Sequence, residues 1–328
     1  MGKKIAIIGA GISGLTIAQN LQNHAEVTIF EKSRGVGGRM STRFIDPFYF
    51  DHGAQCFTAR TKEFKEFIHE YKEKGTIEEW SGSVITIPKD KNLEPRIWTE
   101  RHLVSSPNMN SLCKILAIGK NIKLNTEVAP LSEKEGGKRR LTSSSSEDLG
   151  LFDIVISTAP PVQTSRLFEG MIEHDHPLLV QKMQVCFALM VGLEGIWQRE
   201  WIAAKIHSNP IKWVSVNSSK PSRNRGLTSL VAHSRSNWSQ KNKDTQLKEV
   251  KQIMMEELAK ITAINLDQPQ VSEIHRWLYA IVSSSKKTGP YFDEINKIGA
   301  TSDWCYTSRI EEVWISANTL TKKIMDSL

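Results

Sequence analysis

Cysteine is scarce in this chain: there are four in 328 residues, Cys56, Cys113, Cys186 and Cys305, with no Cys-x-x-Cys pair. That spacing excludes a disulfide framework and offers no zinc-ligand pattern, so no metal is expected. No apolar run reaches the roughly 18 residues that a membrane span requires. The opening MGKKIAIIGAG has neither the apolar core nor the cleavage site of a signal peptide, and Ala6 stands where a myristoylation signal needs Ser or Thr. A cytoplasmic protein with no membrane partner is expected. A strong charge of one sign is missing too: 43 Lys and Arg face 36 Asp and Glu, for a net charge of +7. The basic residues are scattered and clusters such as Lys138-Arg139-Arg140 are short, so no nucleic-acid partner is indicated. What is present, 39% hydrophobic and 24% charged residues, suits a globular protein of one large or two ordinary domains.

Residues 4–8 form a short apolar strand ending at a glycine loop. Residues 15–22 place Ile17, Ala18 and Leu21 on one side of a helix, and 27–30 are a second strand closed by Glu31. Strand, helix and strand in this order imply a parallel sheet. Phe64, Phe67, Ile68 and Tyr71, at i, i+3, i+4 and i+7, predict an amphipathic helix over 61–74. Between 122 and 156, Gly136-Gly137 and the serines at 143–146 break the chain into short strands. They read as a meander returning to the main sheet through 154–157. Tryptophan and β-branched residues over 197–243 predict a second sheet. Leu247, Val250, Met254, Leu258 and Ile261 predict a helix over 245–261. Ser308-Arg309-Ile310-Glu311 matches a capping box ahead of Val313, Ala317, Leu320 and Ile324, with Lys322 and Lys323 complementing the dipole of that last helix.

Gly9-Ala10-Gly11-Ile12-Ser13-Gly14 follows a strand and opens a helix, the context in which a Gly-x-Gly-x-x-Gly pattern binds dinucleotides. Gly9 permits the tight turn, Gly11 lets the backbone approach a pyrophosphate, and Gly14 lets helix and strand pack closely. Glu31, at the end of the next strand, can accept hydrogen bonds from ribose hydroxyls and would repel a 2′-phosphate. The loop alone does not separate NAD from FAD. The turn Arg34-Gly35-Val36-Gly37-Gly38-Arg39 with Met40, Ser41 and Thr42 follows directly, and Arg39 could supply the fixed charge that a pyrophosphate wants. This succession is the arrangement of FAD enzymes resembling amine oxidases. The plain alternative is a set of turn glycines beside a solvated arginine.

The blocks IAIIGAGISGL, EKSRGVGGRMSTR, DHGAQCFTAR, SPNMNSL, FDIVISTAPPVQ, SSKPSRN, HSRSNWSQKN, HRWLYA and SDWCYTSRIEEVWISA resemble, in order, those of bacterial renalase-like flavoproteins. These are a branch of the amine-oxidase-like FAD superfamily. The resemblance implies an α/β fold: a glutathione-reductase-like Rossmann FAD domain with a second α+β substrate domain, whose mainly antiparallel sheet roofs the isoalloxazine. It places the discontinuous FAD domain at 1–60, 100–165 and 286–328, and the substrate domain at 61–99 and 166–285. It implies an FAD-dependent oxidase that takes a hydride from isomeric or misreduced dihydronicotinamide dinucleotides onto flavin N5. Oxygen would take the electrons, giving NAD(P) and hydrogen peroxide.

Carried over by position, Glu31 would hold the adenosine ribose, Arg39 the diphosphate, Val128 the adenine, and Asp303 ribityl or pyrophosphate oxygens. Gly9, Gly11, Ile12, Ser13, Gly14, Lys32, Gly38 and Met40 complete the cradle. Ala54, Gln55 and Cys56 would lie beside the flavin, and the helix starting near Glu311 and Val313 would aim its N-terminus at the flavin N1 and O2 edge, where reduction deposits negative charge. Cys56 stands where the family usually has Tyr, Leu103 where it has Trp, and Ser105 and Asn108 where it has Gly. Ser302, Glu312, Val313 and Ala317 likewise replace Gly, Gly, Ala and Gly. Side chains added there would crowd the ring.

Hydride transfer needs a donor carbon held over the acceptor, and a dihydronicotinamide nitrogen supplies its own push, so no catalytic base is assigned. Arg60, His233, His275, Trp277 and Tyr279, with Arg276, are the candidates to shape the substrate pocket; ordinary core packing is the alternative for each. Two other functions fit the same frame. One is a flavin amine oxidase or desaturase, with an aromatic cage or an apolar tunnel; the other is an FAD-binding protein without turnover. The stretch FYFDHGAQCFTAR, over 48–60, sits between pocket lining and buried crossing.

Overall fold

The computed structural model describes residues 2–88, 94–173, 176–283 and 287–328; the boundary expected at 285/286 lies outside them. The chain divides into two compact units, residues 1–39, 113–183 and 281–328 in the first and 40–112 and 184–280 in the second. The segments 40–60 and 100–112 pack in the second unit.

The first unit is built on a six-stranded sheet in the order Tyr291–Asp293, Ile298–Ala300, Ile154–Ser157, β1 (Lys4–Ile8), β2 (Glu26–Phe30) and Asn121–Lys123. Every pair is parallel except the edge strand Tyr291–Asp293, which runs antiparallel to its neighbour. Parallel strands need a crossover, and α1 (Ile12–Leu21) supplies it between β1 and β2. Ile5, Ile7, Leu15, Ile17 and Leu21 are fully buried, as expected of an element covered by the sheet on one side and by a helix on the other. Asn20 on α1 donates to Asn318 on the helix Ile310–Met325 at 2.8 Å. The expected meander is present as Lys134–Glu135, Lys138–Thr142 and Asp148–Phe152, an antiparallel set, before the chain re-enters the main sheet at Ile154.

The second unit carries a seven-stranded sheet in the order Val271–Val282, Met183–Glu194, Leu227–Ser234, Ile211–Val216, Trp201–Ile206, Ser83–Ile87 and Glu94–Arg96. It is mixed, because Trp201–Ile206 runs parallel to Ser83–Ile87 while the central pairs are antiparallel. The helix Leu247–Thr262 buries Val250, Met254 and Leu258 against it, while Leu247, expected on the same stripe, is 37% exposed. The short helix Ser236–Lys241 falls within the segment expected to form the second sheet. Lys62–Glu73 is the expected amphipathic helix; Thr61 caps it, accepting from Phe64 N at 3.3 Å.

The hairpin of β3 (Arg43–Ile45) and β4 (Phe48–Phe50) is pinned by two phenylalanines. Phe48 and Phe50 are buried with Met190 and Val231. Gly192 makes room for the Phe48 ring, which a Cβ there would meet at 2.8 Å. Each ring contributes about 2 kcal/mol of burial, so what the hairpin carries next, Asp51 and His52, is held firmly.

Candidate functional site

In the first unit the glycine loop forms a cradle. Gly9 has φ +108° and its N–H donates to Phe30 O at 2.8 Å, which closes the turn between the strands. A Cβ on Gly14 would lie 2.1 Å from Gly9 O, so only glycine lets the helix start this close to the loop. At Gly11 a Cβ would meet nothing within 4 Å. That glycine is therefore not required by the chain's own packing, and the space beside it is open to a ligand. The second glycine turn docks here: Gly37 N donates to Ala10 O at 2.9 Å, and the Cβ position of Gly38 lies 3.5 Å from Gly11 Cα. No side chain caps the N-terminus of α1, and Ser13 Oγ in its first turn is buried without a hydrogen-bond partner. An uncapped helix N-terminus with a spare hydroxyl suits a phosphate.

Glu31 is buried, and its carboxylate accepts from Ala10 N and Ser33 N, each at 2.8 Å. Two backbone donors fix its orientation and leave lone pairs for a diol. Arg39 and Asp303 pair with each other in a fork: NH1 donates to Oδ2 and NH2 to Oδ1, both at 2.7 Å. Ser302, expected to crowd this place, accepts from Arg39 at 3.3 Å and donates to Asp303 at 3.2 Å. Ser308 Oγ also donates to Asp303, at 2.8 Å, so the expected capping box is not formed. Arg309 occupies the N-cap instead, and Glu312 takes hydrogen bonds from Thr307 and Arg309. Glu311 is buried, Val313 and Val128 are half-buried, and Lys32 is exposed.

The second unit holds Met40, Ala54, Gln55, Cys56, Arg60, His233, His275, Trp277 and Tyr279. Period-two alternation puts His275, Trp277 and Tyr279 on one face of Val271–Val282. His52, which sequence reasoning noticed without giving it a role, joins them. Its ring stacks on Trp277 at 5.2 Å and 24° and meets His275 edge-on at 5.1 Å. Its carbonyl accepts from Trp277 Nε1 at 2.9 Å and from His233 Nε2 at 3.1 Å. Arg43 approaches His275 Nδ1 at 3.5 Å. Burial pushes His52 down to about 3, helped by His275 and Arg43. Burial likewise takes His233 and His275 to about 4, with Lys212 and Lys220 adding at His233 and Arg43 at His275. The three imidazoles are neutral at pH 7, in a field set by cations. No group of three or more His, Cys, Asp or Glu among the described residues is placed to hold a metal ion.

Arg60 does not join this cluster. It pairs with Glu100, Nε to Oε1 at 2.6 Å and NH2 to Oε2 at 2.5 Å, on the protein surface. Arg276 points the other way along its strand, donating to the carbonyls of Lys243 and Thr245.

Beneath the hairpin lies a buried ion group that sequence reasoning missed. Asp51 Oδ2 accepts from Lys220 Nζ at 3.0 Å and Arg223 NH2 at 2.9 Å; Oδ1 accepts from Thr42 Oγ1 at 2.6 Å and Met109 N at 3.0 Å. Asp51 and Lys220 are fully buried and Arg223 nearly so. Burial would raise the Asp51 carboxyl, but Lys220 and Arg223 outweigh it and hold the group well below the usual carboxylate range. Burial pushes Lys220 down against the pull of Asp51. Gln55 is bound into the same group, donating to Asp51 O and to Gly53 O at 3.1 Å, and accepting from Lys220 at 3.4 Å. Burial lifts the Cys56 thiol to about 11, so it is no thiolate at neutral pH. The signal available in the sequence was Lys220 and Arg223 in SSKPSRN, two cations three residues apart in an otherwise polar turn.

The profile of the family described as flavin containing amine oxidoreductase matches residues 99–301, well over half of the chain. The chain belongs to that family. An NAD(P)-binding Rossmann-like domain profile matches residues 7–71. Membership of that family makes FAD the expected cofactor, and the open cradle at Gly11, the spare Ser13 hydroxyl and the held Glu31 carboxylate fit that group. Among curated relatives, the 4,4'-diapophytoene desaturases (4,4'-diaponeurosporene-forming) of Staphylococcus aureus are 44% identical in strain Newman and 56% in strain MRSA252, each over 77 residues. Each match covers 20% of this chain and 15% of the desaturase, so the shared part is a small fraction of those proteins. Among solved structures, a putative protoporphyrinogen oxidase from Exiguobacterium sp. 255-15 superposes with a TM-score of 0.80 at 14% identity, covering all of both chains. Putrescine oxidase bound to putrescine gives 0.75 at 14% identity, covering 99% of each. At that identity the likeness is one of fold. No helix among the described residues is long and apolar enough to cross a membrane.

Proposed function

We propose that this flavin oxidoreductase is a renalase-like cytoplasmic oxidase of dihydronicotinamide dinucleotides, the isomeric or misreduced forms of NAD(P)H. The observation that carries this reading is the cluster of neutral His52, His233 and His275 around Trp277, under the influence of Arg43, Lys212 and Lys220. The charges from described residues that weigh most on the three rings, Arg43 on His52 and His275 and Lys212 on His233, are cationic and oppose a protonated amine there. A flat, electron-rich nicotinamide attached to phosphates has a stacking partner in Trp277 and favourable charge around it. FAD, when bound, would supply the hydride acceptor, with oxygen as the final acceptor of the two electrons and hydrogen peroxide as the product. The chain's part is to hold the donor and exclude competitors; none of its residues is assigned a proton transfer.

A second reading, an amine oxidase or desaturase acting on an apolar or amine substrate, draws on the family itself and on the desaturase relatives. A third, an FAD-binding protein without turnover, draws on Ser302 and Glu312, whose side chains here bond within the chain. Anaerobic mixing of the purified flavoprotein with isomeric dihydronicotinamide dinucleotides, ordinary NADH and a panel of amines separates the three. Rapid bleaching by the isomers alone is the expected result. Bleaching by amines instead selects the second reading, and no bleaching by any donor selects the third.

A further inference from the structure

We propose that Arg43 selects the donor by charge: it takes a phosphate of the dinucleotide while fixing His275 in the tautomer that carries its proton on Nε2. This rests on the dihydronicotinamide reading of the same cluster. Arg43 starts β3, opposite Phe50 in the hairpin, and the buried Phe48 and Phe50 anchor that hairpin in the core. A guanidinium has only donors, so its approach to His275 Nδ1 at 3.5 Å is an N–H meeting a lone pair. The ring proton of His275 then resides on Nε2, available as a donor.

The charge of Arg43 is also uncommitted. Arg39 forks onto Asp303, Arg60 onto Glu100, and Arg223 binds Asp51. Half-buried Arg43 has no carboxylate partner among the described residues; its hydrogen-bond contact is a neutral imidazole. A half-buried guanidinium without a counter-anion among the described residues, beside the uncharged rings of His52 and His275, suits the oxygens of a phosphate, which it can grip with two parallel N–H bonds. The same charge opposes an ammonium group.

The test uses the holoprotein and one dihydronicotinamide isomer prepared as its mononucleotide, with one phosphate, and as its riboside, with none. Anaerobic flavin reduction is followed against donor concentration for wild type, Arg43→Gln and Arg43→Lys, with melting temperatures recorded alongside. Arg43→Gln is expected to raise the half-saturating concentration of the mononucleotide by about 10- to 100-fold, the range of a lost charge-assisted hydrogen bond, and to change that of the riboside by less than about 3-fold. Arg43→Lys, which keeps the charge, is expected to retain most of the phosphate preference. Equal changes for both donors, or none for either, would overturn the role of Arg43 and leave the donor reading standing. Failure of the wild type to be reduced by either donor, with reduction by amines, would overturn both.

Discussion

Trp277 lies flat against the ring of His52 and donates its indole N–H to the carbonyl of that same residue at 2.9 Å. His233 donates to the same carbonyl, so one backbone oxygen gathers a side chain from each of two strands of the sheet. The cluster is thus held by hydrogen bonds that do not depend on any charge within it.

Trp277→Phe keeps a ring on His52 and removes the donor. A stability loss of about 1 kcal/mol is expected, against about 3 kcal/mol for Trp277→Ala, which also loses the stack and leaves space. Urea unfolding of the two variants measures both. Equal losses would mean that the ring packing contributes nothing.

Acid should loosen the second unit before the buried Asp51 is involved. The three histidines have folded pKa values depressed from 6.5 to about 3, 4 and 4. The unfolded chain therefore takes up protons between pH 6.5 and 4 that the folded chain refuses. Stability is full above 6.5 and falls as pH drops through that window, by about 1.4 kcal/mol per pH unit for each buried ring and less for the part-exposed His275. Asp51, depressed in the opposite chemical sense, loses its contribution only below the ordinary carboxylate range. Melting temperature against pH should show this decline, and His233→Asn should reduce its slope by about one proton. A flat profile from 6.5 to 4 would contradict the buried, neutral state of the rings.

Two glycines of one loop should respond differently to the same added methyl. Gly14→Ala would place Cβ 2.1 Å from Gly9 O and is expected to prevent correct folding of the first unit. Gly11 has φ −77° and ψ 178°, open to alanine, and no atom within 4 Å of its Cβ position. Gly11→Ala should melt within about 1 kcal/mol of wild type as apoprotein yet bind FAD at least about tenfold more weakly, because the methyl meets the cofactor and not the chain. Flavin fluorescence during titration, together with apoprotein melting, reads both effects. Undiminished FAD affinity in Gly11→Ala would remove this loop from the pyrophosphate site.

The buried group at Asp51 should be lopsided. Lys220→Met removes one of two cations and leaves Asp51 paired with Arg223, so a loss of about 1–2 kcal/mol is expected. Asp51→Asn leaves Lys220 and Arg223 facing each other without a counterion, and a loss of about 3–5 kcal/mol is expected. Chemical denaturation of the pair decides it; a smaller loss from Asp51→Asn than from Lys220→Met would contradict a carboxylate that balances two charges.

Local regularities were legible from the chain alone, because their physics is local. A glycine before a helix, a carboxylate ending the second strand, and an apolar stripe at helical spacing each follow from neighbours within a turn or two, and they led to the dinucleotide loop, Glu31 and the helix Lys62–Glu73. The arrangement of FYFDHGAQCFTAR needed the tertiary structure. Asp51 finds Lys220 and Arg223 at 169 and 172 residues' separation, and His52 finds Trp277 at 225. Spacing in sequence carries no trace of such contacts, since the order of strands in the sheet brings together the segments that flank them. The capping box at Ser308 failed because Asp303, five residues before it and held by Arg39 at 264 residues' separation, drew the hydroxyl away from the helix end. Cys56, expected beside the flavin in place of a tyrosine, is a thiol that burial moves still further from ionisation. Residue type and order determined which cofactor frame this protein builds. Burial and long-range pairing decided which of its polar side chains carry charge and which stay neutral.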